Sequence, residues 1–292
     1  MSGIVFAQAQ TSQLADFIDQ LARTPLSRVV IFVAICTTLR IAMAPYLANT
    51  PVHKRSGPFS FIKGVNEALD ALVYAGVFVF LLIRPFAVQT FRIPSESMEK
   101  TLLVGDFIFA NKAIYRYSEP QRGDIIVFRP PKRAVVDPHQ FDGDGEVNVD
   151  YIKRCIGLPG DVVEIKDGVL YRNGKAIEEP YVPERPFFDF KLVKYEGKYI
   201  PLTITADMVN AGEYSAKEYR IDDTTKMNEM RALPAEPVPQ GFLLMMGDNR
   251  NHSFDGRGWG LLPREDVIGR SECIWLPLSR IGRTRQYAGQ NP

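Results

Sequence analysis

Ser95, Ser97, Lys153 and a polar, glycine-rich loop at 246–260 are the residues of this chain whose types could combine into chemistry. A serine hydroxyl attacks an amide carbonyl only when a base takes its proton. In Ile93-Pro94-Ser95-Glu96-Ser97-Met98, Pro94 stiffens the backbone and biases Ile93 to an extended conformation. Extended alternation would present one serine hydroxyl at the edge of a cleft. The competing reading is a cap, with Ser95 or Ser97 starting a short helix through Leu103. Histidine is the usual base, and the chain has His53, His139 and His252. His53 lies in a basic loop. His139 and His252 have hydrophilic neighbours and read as solvated loop residues, although either could serve in a triad. Lysine is the alternative base. Its amine titrates near ~10.4 in water, so it must be desolvated to be neutral at pH 7. Tyr151-Ile152-Lys153-Arg154-Cys155-Ile156 offers such a setting, a strand with Lys153 and Cys155 on one face and Ile152, Arg154 and Ile156 on the other. Leu158-Pro159-Gly160 stops that strand abruptly. The competing reading pairs Lys153 with a surface acid. In the polar loop, Asp248, Arg250, Asp255 and Arg257 could neutralise one another in a buried hydrogen-bond network. The alternative is an exposed turn, against which Trp259 and the preceding apolar strand argue.

Two apolar runs, 29–47 and 71–88, precede these residues. A spanning helix needs about 20 mostly apolar residues. The second run comes close if Arg84 snorkels to the headgroups, and its competing reading is a buried core helix. Arg40 interrupts the first and would sit in lipid at a cost of at least ~2.5 kcal/mol. Neither run has the position of a cleavable signal. His53, Lys54, Arg55 and Lys63 lie between them, and basic loops stay cytoplasmic, which puts everything after the second run outside. The expected organisation is an N-terminal segment 1–28, a candidate span 29–48, a basic cytoplasmic loop 49–70, a membrane anchor 71–90 and an extracytoplasmic domain 91–292. After Val88 the pattern turns to short β-like runs. Asp167-Gly168 and Asn173-Gly174 mark tight hairpins. Residues 181–239, rich in Pro, charge and aromatics, read as an insertion.

Lys+Arg number 35 and Asp+Glu 34, for a net charge of +1, which gives no electrostatic case for a nucleic-acid partner. Cys36, Cys155 and Cys273 form no Cys-x-x-Cys pair, so neither a zinc site nor a disulfide scaffold is indicated. The acidic run 142–146 lacks the ligand set of a calcium loop, and Arg122-Gly123-Asp124 is too short to carry an adhesion reading.

These segments, in this order behind an apolar anchor, resemble the type I signal peptidases, which remove signal peptides from secreted preproteins with a Ser/Lys dyad. The Lys153 segment and Gly247-Asp248-Asn249-Arg250 carry the resemblance most specifically, and Gly105-Asp106 and Arg122-Gly123-Asp124 extend it. It implies a mainly β fold, a coiled β-sheet catalytic domain with an inserted β subdomain within about 161–240, preceded by one or two transmembrane helices. Ser97 would be the nucleophile and Lys153 the general base. Ser95 would contribute to the oxyanion hole and Ser253 would orient Lys153. Ile93, Pro94, Met98 and Ile152 would line pockets for small side chains, giving an A-x-A preference. Asp248, Arg154, Asp255 and Arg257 would be supporting ion pairs. The implied partners are secretory preproteins and membrane lipid. No cofactor, metal or nucleic acid is implied, and the implied location is the inner (plasma) membrane with the catalytic domain on its outer face. Glu96 and Lys100 depart from the family pattern. A carboxylate facing the oxyanion hole would repel developing charge and raise the Lys153 pKa, but alternation points Glu96 away from the serine face. Glu96 is also the one feature favouring an inactive, scaffold-like homologue. A third reading is a Ser/Lys peptidase for one dedicated partner.

Overall fold

A computed structural model of the protein describes residues 26–52, 55, 57–78, 88–205 and 224–284. The chain divides into two compact units, Met1–Thr90 and Phe91–Pro292.

In the first unit, helix α1 (Leu26–Asn49) packs against α2 (Gly57–Gly76). Tyr46 meets Phe59, Arg40 forms an ion pair with Asp70, and Val33 meets Gly76, so the helices run antiparallel. A Cβ on Gly76 would lie 3.0 Å from the Val33 side chain, so glycine is what permits this approach. Among the described residues, Ser27–Asn49 is the one helix long and apolar enough to cross a membrane. Arg40, read above as an unpaired charge in lipid, has a carboxylate partner on the neighbouring helix. Residues 57–70, expected as loop, are helical because Phe59, Ile62, Val65 and Leu69 recur at helical spacing. Of the second apolar run, 79–87 lies outside the described residues, as do His53 and Lys54 of the basic loop.

The second unit is mainly β. Its larger sheet has the order β1-β2-β12-β3-β4-β10-β11, built from β1 (Val88–Arg92), β2 (Phe107–Asn111), β3 (Ile125–Phe128), β4 (Tyr151–Gly157), β10 (Phe242–Met246), β11 (Leu262–Pro263) and β12 (Val267–Leu276), with β13 (Gly282–Arg283) paired to β12. β3 and β4 are buried along nearly their whole length, which explains their continuous apolar runs. β12 pairs antiparallel with both β2 and β3, with register shifts in each ladder that curl the sheet.

The inserted sheet has the order β7-β6-β5-β8-β9, from β5 (Val163–Lys166), β6 (Val169–Arg172), β7 (Lys175–Ile177), β8 (Phe188–Tyr195) and β9 (Lys198–Thr205). Asp167-Gly168 and Asn173-Gly174 turn its first hairpins with positive φ at both positions, the geometry that closes a two-residue hairpin. Glu196-Gly197 turns β8 into β9 the same way, a hairpin the sequence reading leaves unresolved because Glu rarely marks this turn. Helix α3 (Thr224–Ala232) covers the end of this sheet, burying Met227 and Met230 against Val193 and Leu202. A further core, with Ile156, Val163, Ile165, Phe190, Leu244 and Met246, joins the inserted sheet to the larger one. The insertion is thus packed onto the larger sheet.

Candidate active site

Ser97 sits in a single turn of 3-10 helix, Glu96–Met98, that follows β1. Ser95 before it is extended (φ -136°, ψ 161°) and makes no capping hydrogen bond. The extended alternation expected through Glu96 is therefore replaced by a turn. Met98 and Leu102 bury their side chains with Ile93, and that burial rotates the Ser97 hydroxyl inward. The turn leaves Glu96 exposed. Among the described residues Glu96 and Lys100 form no ion pair with each other, and both are exposed.

β4 delivers Lys153 from the opposite side. Its Nζ donates to Ser97 Oγ at 2.7 Å and to the Ile152 carbonyl at 3.0 Å. Lys153 is 5% exposed and Ser97 8%. Burial pushes the lysine pKa down from 10.5 to about 8. Asp255 and Asp248 oppose that shift, and Arg257 reinforces it. The two carboxylates favour the ammonium less than they would unpaired, because each is held by an arginine. Arg154 grips Asp248 through two hydrogen bonds of 2.7 and 2.6 Å, and Thr101 donates to the same carboxylate at 2.5 Å. Asp255 accepts from Arg257 Nε at 2.7 Å and Nη2 at 2.8 Å, and from the backbone of Gly247 at 2.8 Å. The surface-pair reading of Lys153 fails on this burial.

The polar loop after β10 is the frame of the site. Asn249 N–H donates to the Ser97 carbonyl and Asn249 Nδ2 to the Glu96 carbonyl, both at 3.2 Å, so the loop holds the nucleophile turn at two successive peptides. Asp255 caps the helical turn α4 (Gly256–Trp259) through the Arg257 N–H. Gly247 must be glycine, because a Cβ there would lie 2.2 Å from Ser253 Oγ and 2.5 Å from the Ser97 carbonyl oxygen. Arg250, fully buried, pairs with Glu179 of the insertion at 2.8 and 2.5 Å. Sequence reasoning names neither Thr101, Asn249 nor Glu179 as support. Glu179 lies 71 positions from its partner, and no local pattern could have joined them.

The structure brings Ser95, Ser97, Lys153, Asp248, Arg154, Asp255 and Arg257 together. Ser95 Oγ lies 3.2 Å from Ser97 Oγ. Ile93, Met98 and Ile152 pack in one cluster beside the serine turn, and Pro94 is exposed at its rim. Ser253, expected to hydrogen-bond Lys153, is buried but its hydroxyl has no hydrogen-bond partner. His139 and His252 are exposed, and neither ring bonds a serine, so the histidine alternatives have no geometric support. All three cysteines are free thiols. Asp124 is buried and accepts from Tyr115 and the Gln121 backbone, which leaves it unavailable to an adhesion partner.

Residues 65–276 match the family described as signal peptidase, peptidase S26. The chain belongs to this family. Signal peptidase I of Aquifex aeolicus is 37% identical over 219 residues, covering 68% of this chain and 80% of that one. A probable signal peptidase I-1 of Synechocystis is 32% identical over 241 residues, 82% of this chain and 94% of that one. Signal peptidase I of Pseudomonas aeruginosa is 30% identical over 290 residues, 85% and 90%. Membership makes this S26 protein a serine endopeptidase.

Proposed function

We propose that this S26 peptidase removes signal peptides from secretory preproteins with Ser97 as nucleophile and Lys153 as general base. The observation that carries the assignment is the 2.7 Å contact from a buried, depressed-pKa amine to a buried hydroxyl. Neutral Lys153 takes the Ser97 proton as Oγ attacks the scissile carbonyl carbon, and passes it to the leaving amine. The Ser95 hydroxyl and the Ser97 N–H stabilise the oxyanion. Water then cleaves the ester, again through Lys153. The wall formed by Ile93, Met98 and Ile152 restricts the residues before the cut to small ones, which is the A-x-A preference. The Arg154–Asp248 and Arg257–Asp255 pairs weaken the pull of the two carboxylates toward the ammonium form of Lys153.

The apolar N-terminal region anchors the enzyme in the plasma membrane, with the catalytic unit on the outer face beside the emerging signal peptide. The basic residues between the helices favour this orientation. Purified in detergent and given a preprotein, the enzyme cleaves at one site, and Ser97→Ala and Lys153→Ala each abolish cleavage. Cleavage that survived Lys153→Ala but vanished in His252→Ala would replace the base. Binding without cleavage by the unaltered protein would mark an inactive homologue.

A further inference from the structure

Pro180 stands second in a tight turn, in which the Val182 N–H donates to the Glu179 carbonyl at 3.0 Å. Proline presets the backbone angle that this position needs. The turn lies between β7 and β8 of the inserted sheet, and it aims two side chains at the frame of the site. Glu179 pairs with Arg250. Tyr181 lays its ring against Arg154, with the guanidinium carbon 3.9 Å from the ring centroid. The phenol donates to Glu179 Oε1 at 2.7 Å, so the two side chains brace each other. Burial pushes the phenol pKa up, which keeps that donor protonated.

Arg154 follows Lys153 on β4 and grips the carboxylate of Asp248 with its Nε and Nη2. It also donates to the Gly123 carbonyl at 2.9 Å and to Thr101 Oγ1 at 3.3 Å. Hydrogen bonds hold a guanidinium by its edge and leave its two faces free. The Tyr181 ring covers one of those faces, where a planar cation meets the negative side of an aromatic ring. Around the Lys153 amine stand Ser97 from the nucleophile turn, Asp248, Asp255 and Arg257 from the polar loop, and the Tyr151 ring of its own strand at 5.8 Å. Asp255 is held by Arg257 within the loop. Asp248 is held by Arg154, and Arg154 is backed by Tyr181. Arg250, which the same turn holds through Glu179, donates its backbone N–H to the Asp248 carbonyl at 3.0 Å.

We propose that Tyr181 is a positioning residue of this peptidase, whose ring holds Arg154 on Asp248 and through that pair keeps Lys153 ready to accept the Ser97 proton. The inference rests on the Ser97/Lys153 reading and adds to it a role for the inserted sheet in the chemistry. Tyr181 acts through Arg154 and not on the reacting atoms. A side chain without a ring lets the guanidinium tilt and admits water to the pair. More of the Asp248 charge then acts on the amine, the ammonium is favoured, and less neutral lysine is present at a given pH.

The test is the pH profile of kcat/KM in the full-length enzyme in detergent, with a peptide substrate that does not titrate in the range used and with a melting temperature for each variant. Tyr181→Leu moves the midpoint up by about half a unit to one unit, which lowers kcat/KM about three- to tenfold on the acid side. Tyr181→Met does the same and stands in should the leucine variant fold poorly. Tyr181→Phe gives up the bond to Glu179 and melts lower, but it keeps the ring and therefore the midpoint of the unaltered enzyme. A merely structural role would lower the plateau and the melting temperature and leave every midpoint in place. Tyr181→Leu added to Asp248→Asn produces no shift relative to Asp248→Asn alone. A shift of full size there overturns the route through Asp248. An unmoved midpoint in the folded leucine or methionine variant overturns the inference and leaves the dyad intact, and so does an equal shift in Tyr181→Phe. Full cleavage by Lys153→Ala overturns the dyad reading and this inference with it.

Discussion

Burying the Lys153 amine moves its pKa from 10.5 to about 8, which couples both catalysis and stability to pH. With Lys153 as the proposed base the neutral amine is the active form, so kcat/KM should rise with pH through an apparent pKa near 8. A rate profile flat between about pH 6 and 9 would contradict this base. For stability, the folded pKa lies below the unfolded one. Between about 8 and 10.5 the unfolded chain keeps a proton that the folded chain has released. Stability from this group therefore increases with pH across that window, and its full penalty is present below it. Melting temperatures of the unaltered protein minus those of Lys153→Met, taken across the window, should show that rise. At Gly247 the argument is steric. Gly247→Ala drives a methyl into Ser253 Oγ and the Ser97 carbonyl. Moving the serine by about an ångström costs on the order of a hundredfold in kcat/KM. Near-normal cleavage by that variant would mean the turn is not held as described.

Among the elements, the polar loop is tied to the insertion through Arg250–Glu179, with 0% and 9% of the two side chains exposed. Removing one partner leaves a buried charge unpaired, at a cost of about 3–5 kcal/mol. Glu179→Ala should lose that much in urea unfolding and lower kcat as the loop relaxes. A change confined to a few tenths of a kcal/mol would show that solvent reaches Arg250. The helix pair of the first unit follows the same logic. Arg40 and Asp70 pair across the two helices, and either charge alone would be costly in an apolar setting. Asp70→Leu should reduce the amount of enzyme recovered in membranes, and Arg40→Leu combined with Asp70→Leu should restore it. Equal recovery of all three proteins would show the pair to be dispensable.

At the scale of the molecule, the proposed function assigns anchoring to the first unit and chemistry to the second. The unit from Phe91 onward carries its own apolar clusters and both sheets. A chain begun at Val88 should fold cooperatively and cut a short soluble peptide, yet lose its advantage on preproteins in vesicles. The insertion is joined to the catalytic sheet by a shared core and by the Glu179–Arg250 pair, so deleting 163–239 should unfold the unit and not merely trim it. Recovery of a folded, active enzyme after that deletion would overturn this coupling.

Local patterns along the chain marked the serine segment, the lysine strand, the polar loop and the two Gly-containing hairpins, while the expected roles of Ser97 and Lys153 came from the family resemblance and not from those patterns alone. The mainly β class followed from the same local alternation. Tertiary structure decided what depends on distant partners. It made Lys153 a buried amine in contact with Ser97, gave Arg40 its Asp70, set Glu179 against Arg250, and turned the expected extended serine segment into a 3-10 turn. It also left the Ser253 hydroxyl buried without a hydrogen-bond partner where a bond to Lys153 was expected. Desolvation and long-range pairing arise only when separate elements close around one another, and a linear pattern does not record which of them do.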